Sequence, residues 1–168
     1  MKKTFLLLAI FFYAFLGHAQ QITRLTQKEI KANETPQAAA YNFVTSAIKE
    51  DYAQTVELMS LDFFFNTVML GGISPQQMFS EENTHTIVDM RPMVKMGYEV
   101  VVTDIQSLDS EQYFDENSKY RNEPAFSISL NCADTNDKFY DGSKGHYDTD
   151  VKVLMVKEDG QWKVYRFE

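Results

Sequence analysis

Apolar residues crowd the chain between residues 5 and 16, recur at helical spacing to about Met96, and alternate at strand spacing beyond Tyr98. In the middle section, Ala40, Phe43, Val44, Ala47 and Ile48 fall at i, i+3, i+4, i+7 and i+8. That is the single stripe of an amphipathic helix. Thr35-Pro36 starts it, with a hydroxyl to cap the helix and a proline at the first helical position. Lys49-Glu50-Asp51 breaks the stripe, and Asp51 is placed to cap a second run through Tyr52, Val56 and Met59. Residues 61–70 are strongly apolar around Phe63-Phe64-Phe65 and are stopped by Gly71-Gly72. Ser74 and Gln77 have the spacing of a capping box, so Ser74-Pro75 opens a third helical region. It is predicted to run in pieces to about Met96, with a break or kink at Arg91-Pro92.

From Tyr98 the period changes to two. Val100, Val101, Val102, Thr103 and Ile105 make residues 98–108 a strand. Residues 109–122 are polar and acidic and read as a loop. In the next strand Phe126, Ile128, Leu130 and Cys132 face one way, and Ser127, Ser129 and Asn131 the other. Residues 134–145 read as a loop, 146–157 as a long strand, and 161–167 as a final strand. Asp159-Gly160 between the last two is a hairpin signal. A two-residue turn sets Met155 opposite Val164 and Leu154 opposite Tyr165. Trp162 and Val164 then share a face with Met155 and Val153, and that face is expected to pack on the first helix. Helices followed by an antiparallel meander make an α+β fold: N-terminal helices on a curved antiparallel sheet of about four strands, in a single domain over 35–168. The other sheet face is left to solvent or to a partner.

The N-terminus reads differently. Met1-Lys2-Lys3 is basic, the apolar run follows, and Gly17-His18-Ala19 places small residues two apart. This is the pattern of a signal peptide over 1–19, with cleavage between Ala19 and Gln20 and export to the periplasm or beyond. The apolar run is shorter than the roughly 20 residues a spanning helix needs. Residues 20–34 are polar without sustained period and read as a flexible leader. Asn33-Glu34-Thr35 matches a glycosylation sequon, to which a bacterial-style signal gives little weight.

Charge narrows the partners. Removing 1–19 from the 168 residues leaves 149, and removes two lysines and no acid, so the net charge of −8 becomes −10. Nucleic acid and anionic membrane surfaces require basic patches, and both are disfavoured. Cys132 is the only cysteine, so no internal disulfide can form. It reads as a small buried strand residue.

Thr35-Pro36-Gln37-Ala38, Lys49-Glu50-Asp51-Tyr52-Ala53 and Leu58-Met59-Ser60 resemble the opening of nuclear-transport-factor-2-like domains. Residues 153–164, ending Glu158-Asp159-Gly160-Gln161-Trp162-Lys163-Val164, resemble that superfamily's last hairpin, as found in small exported bacterial members of unassigned function. The resemblance runs from 35 to 168, with recognisable wording only at the two ends. It implies a bent sheet wrapped around helices with an apolar pocket between them. It also implies a range of roles, from isomerases and dehydratases to ligand binders and dimeric adaptors, so fold alone assigns none.

Catalytic motifs are absent: no Gly-x-Ser-x-Gly, no His-Glu-x-x-His and no phosphate loop. His85 and His146 lack a second ligand at metal spacing, so no metal site is expected. Asp134, Asn136, Asp137 and Asp141 crowd one loop, but Lys138 and Phe139 occupy places that a calcium loop needs, and a solvated loop is the better reading. Asp148 and Asp150 alternate on a strand, either as a carboxylate pair or, more ordinarily, as a solvent-facing strand end. Asp89 and Asp104 would serve as general bases only if buried. Phe63-Phe64-Phe65 and Met90, Met93 and Met96 fit core packing better than a cavity wall. The candidate pocket walls are Tyr98, Phe126, Tyr147 and Tyr165; no catalytic residue, metal or cofactor is assigned. The leading expectation is an exported, non-catalytic module for a small apolar ligand. The alternatives are a dimerising or docking domain using the open sheet face, and an isomerase- or dehydratase-type enzyme.

Overall fold

The computed structural model describes residues 25–80, 85–135 and 150–167. The signal segment and its cleavage junction, Tyr147, Asp148, His146 and most of the acidic loop lie outside them. Among the described residues, seven α-helices precede or interrupt a four-stranded antiparallel sheet, and together they form one α+β domain.

Within the stretch read as a leader, α1 spans Gln27–Ala32. The Thr26 hydroxyl accepts from the Glu29 amide at 3.3 Å, and Glu29 accepts from the Thr26 amide at 2.8 Å, a full capping box. Asn33 ends the helix in the left-handed region, φ 54°. α2, Pro36–Ile48, begins where Thr35 caps the Ala38 amide at 3.2 Å. Its stripe is wholly buried: Ala39, Ala40, Phe43, Val44 and Ala47 are 0 % exposed. Asp51 caps α3, Tyr52–Glu57, as its position predicts. Leu58–Ser60 then run beside the last strand, and Ser60 caps α4, Leu61–Phe64, which continues as a π-helical turn over Phe65–Leu70. α5 is Pro75–Met78, with the Ser74/Gln77 capping box in place.

The helix α6, His85–Lys95, continues through Pro92, so the chain stays helical where a break or kink at Arg91-Pro92 was expected. Packing on both sides of the proline explains it, with Met93 and Val94 set against the core beyond it. Ile87 and Met90 are buried in the core, and the Arg91 guanidinium donates to the Phe79 carbonyl at 3.1 Å and pairs with Glu50 at 3.1 Å. These fix the helix more strongly than one lost backbone bond loosens it.

The strands are β1 Glu99–Leu108, β2 Ala125–Ala133, β3 Val151–Glu158 and β4 Gln161–Phe167, in spatial order β1-β2-β3-β4. A short α7, Ser110–Tyr113, follows β1. Asp159 and Gly160 both have positive φ, 51° and 79°, as a two-residue hairpin turn requires. Met155 does face Val164, but Leu154 faces Arg166 rather than Tyr165. A bulge leaves Tyr165 unpaired and shifts the register by one. Strict alternation would have turned Arg166 into the core and Phe167 out; the bulge reverses both.

Phe167 therefore joins Phe43, Phe79 and Phe63, with ring centroids 5.5, 5.5 and 5.9 Å away. These aromatics, with Ile128, Leu130, Val153, Met155 and Val164, fill the space between helices and sheet. A second, smaller cluster covers one end of the opposite face: Phe114 and Tyr120 from the β1–β2 connection close over Ala125, Val156 and Tyr165.

Candidate functional site

A sizeable concavity lies outside the helix–sheet core. A groove of about 970 Å³ separates α1 from α3 and the β3–β4 turn. α1 alone is too short to be a stable wall. Asn42 on α2 holds it, donating to the Ile30 carbonyl at 2.9 Å and to Asn33 Oδ1 at 3.0 Å. On the other side, Lys163 Nζ donates to the Glu57 carbonyl at 2.7 Å and ties β4 to the end of α3. Leu58 is buried at the base, and its carbonyl accepts from the Val164 amide at 2.8 Å.

Five amide side chains line the groove: Gln27, Asn33, Asn42, Gln54 and Gln161. Trp162 lines it as well. The indole is backed by Phe126, edge-on at 5.4 Å, and by the Lys157 ammonium at 5.8 Å from its centre. Among the described residues the charged lining side chains balance, Lys31 and Lys163 against Glu34 and Glu57. Such a surface offers donors, acceptors and one aromatic plane. Among the described residues its lining holds no Ser, Thr, Cys, Tyr or His side chain.

The sequence candidates are not brought together. Tyr98 packs partly buried against the core and borders a separate cleft of about 400 Å³ with Tyr41 and Val94. Phe126 reaches the groove only through Trp162. Tyr165 sits on the opposite sheet face against Phe114 and Tyr120, at 5.2 and 5.3 Å. Tyr147 lies outside the described residues.

The candidate acids are likewise dispersed. Asp89 is exposed, and Asp104 is half-buried, accepting from Gln106 at 2.9 Å. Neither has the burial a general base needs. Asp150 is exposed and accepts from Asn131 at 2.9 Å and Thr103 at 3.3 Å; its proposed mate Asp148 is outside the described residues. Met90 and Met93 pack in or on the core, as do Phe63 and Phe64, whereas Met96 and Phe65 are exposed. Cys132 is buried, and burial pushes its thiol up to about 11. Among the described residues no three His, Cys, Asp or Glu side chains converge on a metal position. No helix there is long and apolar enough to cross a membrane.

Two features escaped the sequence reading. Glu158, the last residue of β3, joins three elements: it accepts from the Leu61 amide at 2.9 Å and from Tyr120 OH at 3.0 Å, and pairs with Lys119, which also reaches Asp62 at 3.3 Å. Burial alone would raise the Glu158 carboxyl, but these hydrogen bonds outweigh it and hold the group below its ordinary value. The second feature is a stripe of large apolar side chains along α4 and its π-helical turn. Leu61, Phe65, Met69 and Leu70 are 63, 49, 62 and 70 % exposed. No periodicity argument separates their outward face from the inward Phe64 and Val68, because the helix changes pitch between them.

No family model matches this chain, and no curated protein matches it. Fold and site together define an α+β domain with an aromatic-rich core and a polar surface groove.

Proposed function

We propose that this chain is an exported, non-catalytic binding domain that seats its ligand in the groove between α1 and the β3–β4 turn. One observation carries the reading: aromatic rings pack the space between the described helices and the sheet, while the groove beside them presents Trp162 among amide side chains. A ligand seat of this kind needs an aromatic plane and a few placed polar groups, and no reacting group. This reading gives the groove a ligand that tolerates a polar lining, where the sequence led to the expectation of a small apolar one. Export rests on residues 1–19. The test is native mass spectrometry of the protein made with its own signal. A chain starting at Gln20 and carrying a co-purified small molecule supports the reading. A chain retaining residues 1–19 overturns the export part, and a Trp162→Ala variant that keeps the molecule overturns the groove.

The exposed stripe favours a second reading, association of two copies through α4. A helical stripe is suited to an isologous contact, in which the same patch serves both copies. Concentration-dependent sedimentation that Phe65→Asp abolishes supports it; a monomer at high concentration rejects it.

A further inference from the structure

We infer that the ligand of the groove is a neutral, polyhydroxylated chain, in chemical class a short oligosaccharide. The inference rests on the groove reading above and adds the ligand's chemistry to it.

The first argument is charge. The whole chain carries −8, yet among the described residues the groove lining holds two bases and two acids. A site for an anion or a cation would break that balance toward one sign. The second is the type of polar group. Five of the lining side chains are amides, each with an acceptor oxygen and a two-hydrogen donor on one planar group. A hydroxyl is also donor and acceptor at once, so neighbouring hydroxyls on a ring match an amide in either sense. Asn42 commits its donors to Ile30 and Asn33, which orients its oxygen as an acceptor. The third is Trp162, whose indole supplies a flat apolar plane on which the C–H face of a sugar ring can lie.

Size agrees: 970 Å³ is at the upper end of small-ligand pockets, roughly 300–1,000 Å³, with room for more than one ring. A peptide fits less well. Extended peptides gain most by pairing with a free strand edge. The edge of β4 is taken at Val164, which donates to Leu58 and accepts from Ser60, both at 2.8 Å, and this leaves only the short stretch 161–163 beside the groove for such pairing.

Trp162 is the only tryptophan, so its emission reports directly on the groove. The mature chain is screened on a glycan array of neutral and acidic glycans. It is then titrated with cellotetraose, chitotetraose, laminaritetraose and any array hit, with tetra-alanine and citrate alongside. The expected result is a saturable change in emission with a neutral glycan, weakened about tenfold or more in Gln54→Ala/Gln161→Ala, a loss that two hydrogen bonds account for. Circular dichroism confirms that this variant is folded. Binding of tetra-alanine or citrate without any neutral glycan overturns the inference and leaves the groove reading standing. Glycan binding that the double variant does not weaken also overturns it. No response to any glycan or control, with no co-purified molecule, overturns both.

Discussion

The Tyr120 hydroxyl donates to the Glu158 carboxylate at 3.0 Å, so the β1–β2 connection is latched to the end of β3. The same carboxylate holds the first amide of α4, and three elements depend on its charge. A carboxyl held below its ordinary 4.5 contributes stability above that value, and loses it as the pH falls through its lower folded value. Glu158→Gln should lower stability by about 1–3 kcal/mol at pH 7, the worth of charge-assisted hydrogen bonds. Urea unfolding at pH 7 and pH 3 checks it: the gap between wild type and variant should narrow at pH 3. Tyr120 adds an upper limit. Burial is the main cause that pushes its hydroxyl up to about 12, so its contribution is present below pH 10 and lost as the pH rises through 12.

The bulge at Tyr165 decides which of two neighbours is core. Phe167→Ala should cost about 2–4 kcal/mol, as loss of a core aromatic does, and Arg166→Ala under about 1 kcal/mol. Denaturant midpoints of the two variants provide the comparison. Equal costs would mean that β4 pairs without the bulge.

Cys132 is buried on the core face of β2, and burial keeps it a thiol. A disulfide reagent at pH 8 should leave it unmodified in the native chain and modify it fully in urea. Rapid native labelling would show that the sheet opens there.

Asn42 is the tether of α1. Asn42→Ala removes both of its hydrogen bonds and should free α1 at a global cost of about 1–2 kcal/mol. Hydrogen exchange is the measurement. Amides of residues 27–33 should lose protection while those of Phe43 and Val44 keep theirs. Uniform loss across α2 would mean that α1 is part of the cooperative core.

The apolar stripe makes a prediction that separates surface from core. Phe65→Asp and Leu70→Ser should each change stability by less than about 0.5 kcal/mol, because those side chains are open to solvent. Phe64→Asp, on the inward side, should cost several times more. Comparable losses for all three would place the stripe inside the fold.

Much of the architecture was written locally. The stripe from Ala40 to Ile48, the caps at Thr35, Asp51 and Ser74, the alternation from Phe126 to Cys132 and the Asp159-Gly160 turn each depend on residues within one element. Each element is found where its pattern puts it, though Ser129 and Asn131, on the strand face expected to be open, are buried as well. Periodicity and capping are short-range physics, so a single chain displays them. What the tertiary structure decided is of another kind. The bulge at Tyr165 exists because Phe167 gains burial among Phe43, Phe79 and Phe63, residues about 90 to 125 positions away. Pro92 stays helical because Arg91 is anchored to Phe79 and Glu50. The groove exists because Asn42 holds a six-residue helix, with no buried residue of its own, opposite Trp162. Tyr98, Phe126 and Tyr165 are aromatics on sheet strands or beside one, and only the register showed that they occupy three different environments. Local patterns fix which residues turn inward; which inward residues meet is set by long-range packing, and the site is made of those meetings.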